Sequence, residues 1–121
     1  MLTVGLFHRQ NEILDKLITS GIVNQIDRAA TGEEAINRLP DLKPDLILMD
    51  VLLHGMTGLE AARWIKEQDP GVKIILTVNS MNHSFIFHGN NPTHDATLAK
   101  TSAFQVYAET IRLFRSGNNR R

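Results

Sequence analysis

Asp50 ends the apolar run Leu46-Ile47-Leu48-Met49, and a carboxylate in that position could act as a nucleophile, a base or a ligand. Four consecutive strand-forming residues read as a buried strand with no polar face. The C-terminal edge of such a strand is where open α/β sheets gather their ligand sites. A second reading of Asp50 alone is equally simple: Asp often starts a turn or caps the next segment. Lys100 follows the apolar pair Leu98-Ala99, and Thr77 lies within the β-branched run ending at Val78. By themselves they read as a solvated lysine and an ordinary strand residue. Another chemical cluster is His83, His88 and His94 with Asp95 beside the last. Its spacing matches no metal signature, so polar loop histidines are the simpler reading and a His-based metal site the alternative.

The elements that must position these groups alternate along the chain. Leu2-Thr3-Val4 reads as a first strand. Ile13, Leu14, Leu17 and Ile18 form a helical stripe that Gly21 stops. A weaker strand lies within Ile22 to Ala30. Thr31 and Glu34 make a capping-box pair for a helix carrying Ala35, Ile36 and Leu39 inward, and Pro40 and Pro44 bracket the return loop. After the Leu46 to Met49 strand, Leu59, Ala62 and Ile65 mark a helix that ends before Pro70-Gly71. Val72 to Val78 is a strand, and a last helix starts near Ser102, with Gln105 three positions on, carrying Phe104, Tyr107, Ala108 and Ile111 inward. This alternation implies a doubly wound parallel sheet of class α/β.

Residues 79–95 break the rhythm. Asn, Ser, Gly, Pro and His dominate there, and a fourth helix is expected to be short, remodelled or replaced by a loop. Phe85-Ile86-Phe87 would then form an apolar patch, a candidate contact for a second copy of the chain. The alternative is that these residues fold back over the sheet edge. The domain is read as residues 1–115, with 116–121 as a flexible tail or linker stub.

Composition narrows the function classes. The chain has 121 residues, about one domain, and 42% of them are apolar. Thirteen basic and thirteen acidic side chains cancel, so no global field draws it to nucleic acid or an anionic membrane. No apolar stretch approaches the roughly 20 residues that span a bilayer. The start, MLTVGLF, lacks a basic n-region and a cleavage site. Without cysteine there are no disulfides or thiolate metal sites. Cytoplasm is the default location.

Taken together, Pro44-Asp45-Leu46-Ile47-Leu48-Met49-Asp50, Gly55-Met56-Thr57-Gly58-Leu59-Glu60, Lys73-Ile74-Ile75-Leu76-Thr77 and Leu98-Ala99-Lys100-Thr101-Ser102 resemble the receiver domain of bacterial response regulators. The resemblance runs from Leu2 to about Phe114. It implies a five-stranded flavodoxin-like sheet and a phosphorelay signalling role, with no enzyme activity beyond self-phosphorylation at Asp50. In that family the residue matching Asp50 is the phosphoacceptor, Lys100 pairs with its carboxylate or phosphoryl oxygens, and Thr77 is the switch hydroxyl. A pair such as Asp50 and Lys100, ~4 Å apart at an effective dielectric near 20, is worth roughly 4 kcal/mol before desolvation. Gly58 is expected to give backbone freedom to the loop after the site. A histidine kinase or another signalling protein is the implied partner. Mg²⁺ is the implied cofactor, held by Asp50 and the Leu52 backbone carbonyl.

The chain also departs from the family. Receivers carry two adjacent acidic residues where the first strand ends. Here that stretch runs Val4-Gly5-Leu6-Phe7-His8-Arg9, with no carboxylate. Glu12 and Asp15 come later, on the first helix. His8 or Gln10 is read as able to contribute a contact through water, but Mg²⁺ prefers oxygen ligands and His8 is a poor substitute. His54 replaces the usual Pro four residues after the phosphoacceptor, and Thr97 stands where an aromatic switch residue is expected. The expectation is an atypical receiver with weak or absent Mg²⁺-dependent phosphorylation, signalling through protein contacts. The alternative is a conventional phospho-accepting receiver from a DNA-binding regulator, with the tail as the start of a linker. Arg112, Arg115, Arg120 and Arg121 are read as solubilising charge, and this chain alone is not expected to bind DNA specifically.

Overall fold

The computed structural model describes residues 1–5, 9–79 and 94–118. Its elements, in order, are β1 (Leu2–Val4), α1 (Arg9–Thr19), β2 (Asp27–Ala29), α2 (Gly32–Leu42), β3 (Leu46–Asp50), α3 (Gly58–Gln68), β4 (Lys73–Val78), β5 (Ala96–Ala99) and α4 (Phe104–Asn118). The strands form one parallel sheet in the order β2-β1-β3-β4-β5, the flavodoxin-like arrangement. Residues 80–93, which hold most of the segment where a short or remodelled fourth helix is expected, lie outside the described residues, with Phe85 to Phe87, His83 and His88, as does His8.

Two cores flank the sheet, and strand alternation feeds both. Ile47 and Met49 of β3 face one side with Ile74, Leu76 and Val78, against Ala35 and Leu39 of α2 and Ala61, Ala62 and Ile65 of α3. Leu46, Leu48 and Ile75 face the other side, against Leu14 and Leu17 of α1 and Tyr107, Ala108 and Ile111 of α4. Each fully buried Leu or Ile contributes about 1.5–3 kcal/mol. With a core on both faces, β3 has no polar side, and the unbroken run Leu46 to Met49 follows from that.

Chain ends and turns explain where the elements stop. Gly21, at φ +80°, closes α1, with Ile22 N–H donating to Leu17 O at 3.0 Å and Gly21 N–H to Ile18 O at 3.0 Å, the double-bonded helix end that glycine favours. Val23 N–H also reaches Leu17 O at 3.2 Å. These bonds commit Ile22 and Val23 to capping the helix, and β2, Asp27–Ala29, falls within the stretch Ile22 to Ala30 expected to contain it. Ile18, at the margin of its stripe, is exposed rather than inward.

Pro40 does not break the chain into a loop. It lies inside α2, which runs to Leu42. In the last turn proline removes a single intrahelical bond. Lys43, left-handed at φ 44°, closes the helix by donating its N–H to Leu39 O at 2.9 Å. At the other end, Thr31 Oγ1 accepts from Glu34 N–H at 3.1 Å, while Glu34 Oε1 reaches back to Ala30 N–H at 3.0 Å. The last helix starts at Phe104, two residues after Ser102, and continues to Asn118, past residue 115.

Candidate functional site

Asp50 is the last residue of β3 and pairs in register with Thr77 of β4. Lys100 follows β5 directly, and its N–H donates to Val78 O at 2.7 Å. Three adjacent strands therefore deliver a carboxylate, a hydroxyl and an ammonium to one sheet edge. Asp50 Oδ2 lies 2.6 Å from Lys100 Nζ, with the Asp50 side chain 8% exposed and that of Lys100 24%. Asp50 Oδ1 accepts the Leu52 N–H at 3.0 Å. Both carboxylate oxygens are thus engaged by charge-assisted donors.

Thr77 is fully buried, and its Oγ1 has no hydrogen-bond partner among the described residues. Native folds tolerate few such groups, and those that persist call for a reason. Strand parity places Thr77 on the face of Ile75, toward α1 and α4.

Gly58 serves the site differently from the loop freedom expected of it. It is the first residue of α3, and its N–H donates to Val51 O at 2.7 Å. A Cβ there would collide with the carbonyl oxygen of Asp50 and stand 2.8 Å from Val51 Cα. Close approach of the helix to the end of β3 demands the glycine, not an unusual backbone angle. Thr57 then caps α3 in a full capping box, Thr57 Oγ1 accepting from Glu60 N–H at 3.1 Å and Glu60 Oε1 from Thr57 N–H at 2.9 Å. The Thr-x-x-Glu spacing was visible in the sequence and marks where the helix starts.

The opposite flank of Asp50 is apolar. Val4 pairs with Met49, which sets Gly5 beside Asp50. Gly5 has φ +73°, and a Cβ on it would overlap Leu53 Cδ2 and come within 3.5 Å of Asp50 Cβ. Leu53 packs against the core from this loop. Gly5 lies in the stretch Val4 to Arg9 where the resemblance implies an acidic pair, and Leu53 covers it. Among the described residues no group of three or more His, Asp or Glu side chains could hold a metal ion. Glu12, exposed on α1, pairs instead with Lys16 at 3.6 Å, and Asp15 is exposed. Among the described residues, the donors around Asp50 offer a Mg²⁺ ion one carboxylate, already paired with Lys100, and no second one.

At the far end of the sheet, His94 Nε2 and Thr97 Oγ1 lie 2.8 Å apart. Asp95 Oδ2 pairs with Lys66 Nζ at 2.9 Å and accepts the Ile74 N–H at 2.8 Å. These contacts fasten β5 to β4 and α3 and leave Asp95 no role at the Asp50 edge. Burial pushes the His94 pKa below its usual 6.5, against the pull of Asp95 and with the push of Lys66. His54 is exposed in the β3–α3 loop.

Sequence reasoning read Tyr107 only as an inward apolar residue. Its hydroxyl donates to Lys100 O at 3.1 Å. Burial, and secondarily the charge of Asp50, raise its pKa to about 12.

An open parallel sheet in this strand order, with an aspartate, a threonine and a lysine at the carboxyl ends of β3, β4 and β5, has the receiver-type architecture that the sequence resemblance implies. The chain belongs to the response regulator receiver domain family, whose model matches residues 8–112. It is a receiver domain of two-component signalling. It is 30% identical over 96 residues to the response regulator protein VraR of Staphylococcus saprophyticus, covering 79% of this chain and 46% of that protein. The chain thus spans about half the length of the curated relatives it matches. The fold is similar to the chemotaxis response regulator CheY4 of Vibrio cholerae (TM-score 0.80, 20% identity, 93% of this chain and 95% of that one). It is also similar to the response regulator TrrA of Thermotoga maritima, solved in complex with Mg²⁺-BeF (TM-score 0.76, 22% identity, 93% and 95%). No helix among the described residues is long and apolar enough to cross a membrane.

Proposed function

We propose that this chain is an atypical receiver in which Asp50 is the phosphoacceptor, Lys100 the partner of its charge and Thr77 the switch hydroxyl, with Mg²⁺-assisted transfer weak or absent. The observation that carries this reading is the pairing of Asp50 with Lys100 at 2.6 Å beside a flank filled by Gly5 and Leu53. In the transfer step an Asp50 oxygen bonds to phosphorus, and the bond from phosphorus to the donor atom breaks, an oxygen in acetyl phosphate or an imidazole nitrogen in a phosphohistidine. The electron pair leaves with the donor, acetate in the case of acetyl phosphate. Among the described residues, Lys100 supplies the positive charge that pairs with Asp50 and would offset the charge that gathers on the phosphoryl oxygens. A bound Mg²⁺ would supply more of the same stabilisation, with Asp50 and the Leu52 carbonyl as its candidate protein ligands. That set lacks the second carboxylate.

Signalling then runs through protein contacts with a histidine kinase or another signalling protein, in the cytoplasm, with residues 1–115 as the receiver unit. A second reading is favoured by the chain spanning about half of VraR: a conventional receiver belonging to a longer, DNA-binding regulator, with residues 116–121 leading toward the rest. The two readings separate by titrating millimolar Mg²⁺ into ¹⁵N-labelled protein. The atypical reading expects the Asp50 and Leu52 amide resonances to stay in place. Saturable movement of both would favour the conventional site.

A further inference from the structure

A phenylalanine would fill the place of Tyr107 in the second core with the same ring, so its hydroxyl is surplus to packing. Tyr107 is fully buried, among the largest of the fully buried side chains, and a buried hydroxyl costs ~1–3 kcal/mol unless it finds a partner. The partner it takes is the backbone carbonyl of Lys100, at 3.1 Å. Lys100 is thereby held on two sides, its N–H by Val78 O at 2.7 Å and its carbonyl by α4. From that clamped backbone its side chain reaches Asp50.

The usual route from such a site, a threonine coupled to an aromatic residue on the fifth strand, is interrupted in this chain. Thr97 stands at the aromatic position, and its hydroxyl is turned to His94. We propose that Tyr107 is the positioning residue that carries the state of the Asp50–Lys100 pair into α4, replacing the missing aromatic partner on β5. A change at Asp50 that pulls or releases Lys100 shifts the Lys100 peptide, and the phenol passes that shift to the helix. Because the phenol is held protonated far above neutral pH, it remains a donor under all physiological conditions.

The use of this link in signalling rests on reading Asp50 as the phosphoacceptor. The link itself does not, and its test avoids phosphate. Asp50→Asn removes the charge that Lys100 faces. In ¹⁵N-labelled protein this substitution is expected to move the amide resonances of Ala108 and Ile111. In a Tyr107→Phe background the same substitution should move them several-fold less, with circular dichroism confirming the fold. Equal movement in both backgrounds, or none in either, overturns the proposal. Should Tyr107→Phe fail to fold, the ring ¹³Cζ resonance of the chain's single tyrosine gives the reading instead. It must shift on Asp50→Asn, and a stationary signal overturns the link. Absence of an Asp50 adduct with acetyl phosphate would sink the phosphoacceptor reading and leave this result standing.

Discussion

Replacing Thr77 with valine should make this protein more stable, the reverse of the usual outcome for a change at a buried position. The hydroxyl of Thr77 is fully buried with no partner among the described residues, and a buried hydroxyl without a hydrogen bond costs ~1–3 kcal/mol. Valine keeps the branched shape and suits the strand, and its extra methyl adds up to about 0.8 kcal/mol of burial. A net gain of about 1–2 kcal/mol is expected. For a chain of 121 residues, each kcal/mol corresponds to roughly 4 °C in Tm, so thermal denaturation followed by circular dichroism should show a rise of ~4–8 °C. Thr77→Ser keeps the hydroxyl and opens a methyl-sized gap, and should lower Tm instead. If Thr77 is the switch hydroxyl proposed above, the stabilised Thr77→Val protein should also lose any conformational response to acetyl phosphate. A valine variant with unchanged or lower Tm would mean that Thr77 Oγ1 is already satisfied, and the switch argument would fail.

Other substitutions test the geometry around the site. Gly58→Ala gains up to ~1 kcal/mol of helix propensity but drives a Cβ into the Asp50 carbonyl and Val51 Cα. Overpacking of ~1–3 kcal/mol should win, lowering the urea midpoint of unfolding; a neutral result would refute the contact. Lys100→Met leaves Asp50 charged with its side chain only 8% exposed, whereas Asp50→Asn leaves Lys100, 24% exposed, able to turn toward water. Lys100→Met should therefore destabilise by roughly 2–3 kcal/mol and Asp50→Asn by under about 1 kcal/mol, a ranking that chemical denaturation can reverse or uphold. His94, whose pKa is lowered by burial from 6.5, favours folding while neutral. Its contribution is complete above pH 6.5 and is lost as pH falls below that toward its folded value. Wild type should lose stability below pH 6.5 faster than His94→Gln, and parallel pH curves would contradict this.

Local patterns made much of this molecule legible in advance. The run into Asp50 works because β3 is buried on both faces, and the spacing of Asp50, Gly58, Thr77 and Lys100 is set by a fixed sheet topology. What stayed hidden depends on register or on groups distant in sequence. That Gly5 abuts Asp50 and is covered by Leu53 emerges only once Val4 is paired with Met49. Lys66 finding Asp95, and the Tyr107 hydroxyl finding Lys100, join segments with no shared periodicity. Pro40 misled because its usual role as a breaker weakens in the last turn of a helix. Where β2 falls within Ile22 to Ala30 was not legible, because the β-branched Ile22 and Val23 are taken up by the cap of α1.

The central claim is that Asp50 sits in a phosphoryl site whose Mg²⁺ support has been lost. Intact mass spectrometry after incubation with acetyl phosphate, with and without Mg²⁺ and with Asp50→Ala as control, tests it most directly. The account predicts a weak phosphate adduct, absent from Asp50→Ala and nearly indifferent to Mg²⁺. A stoichiometric adduct that requires Mg²⁺ and disappears in Asp50→Ala would contradict it.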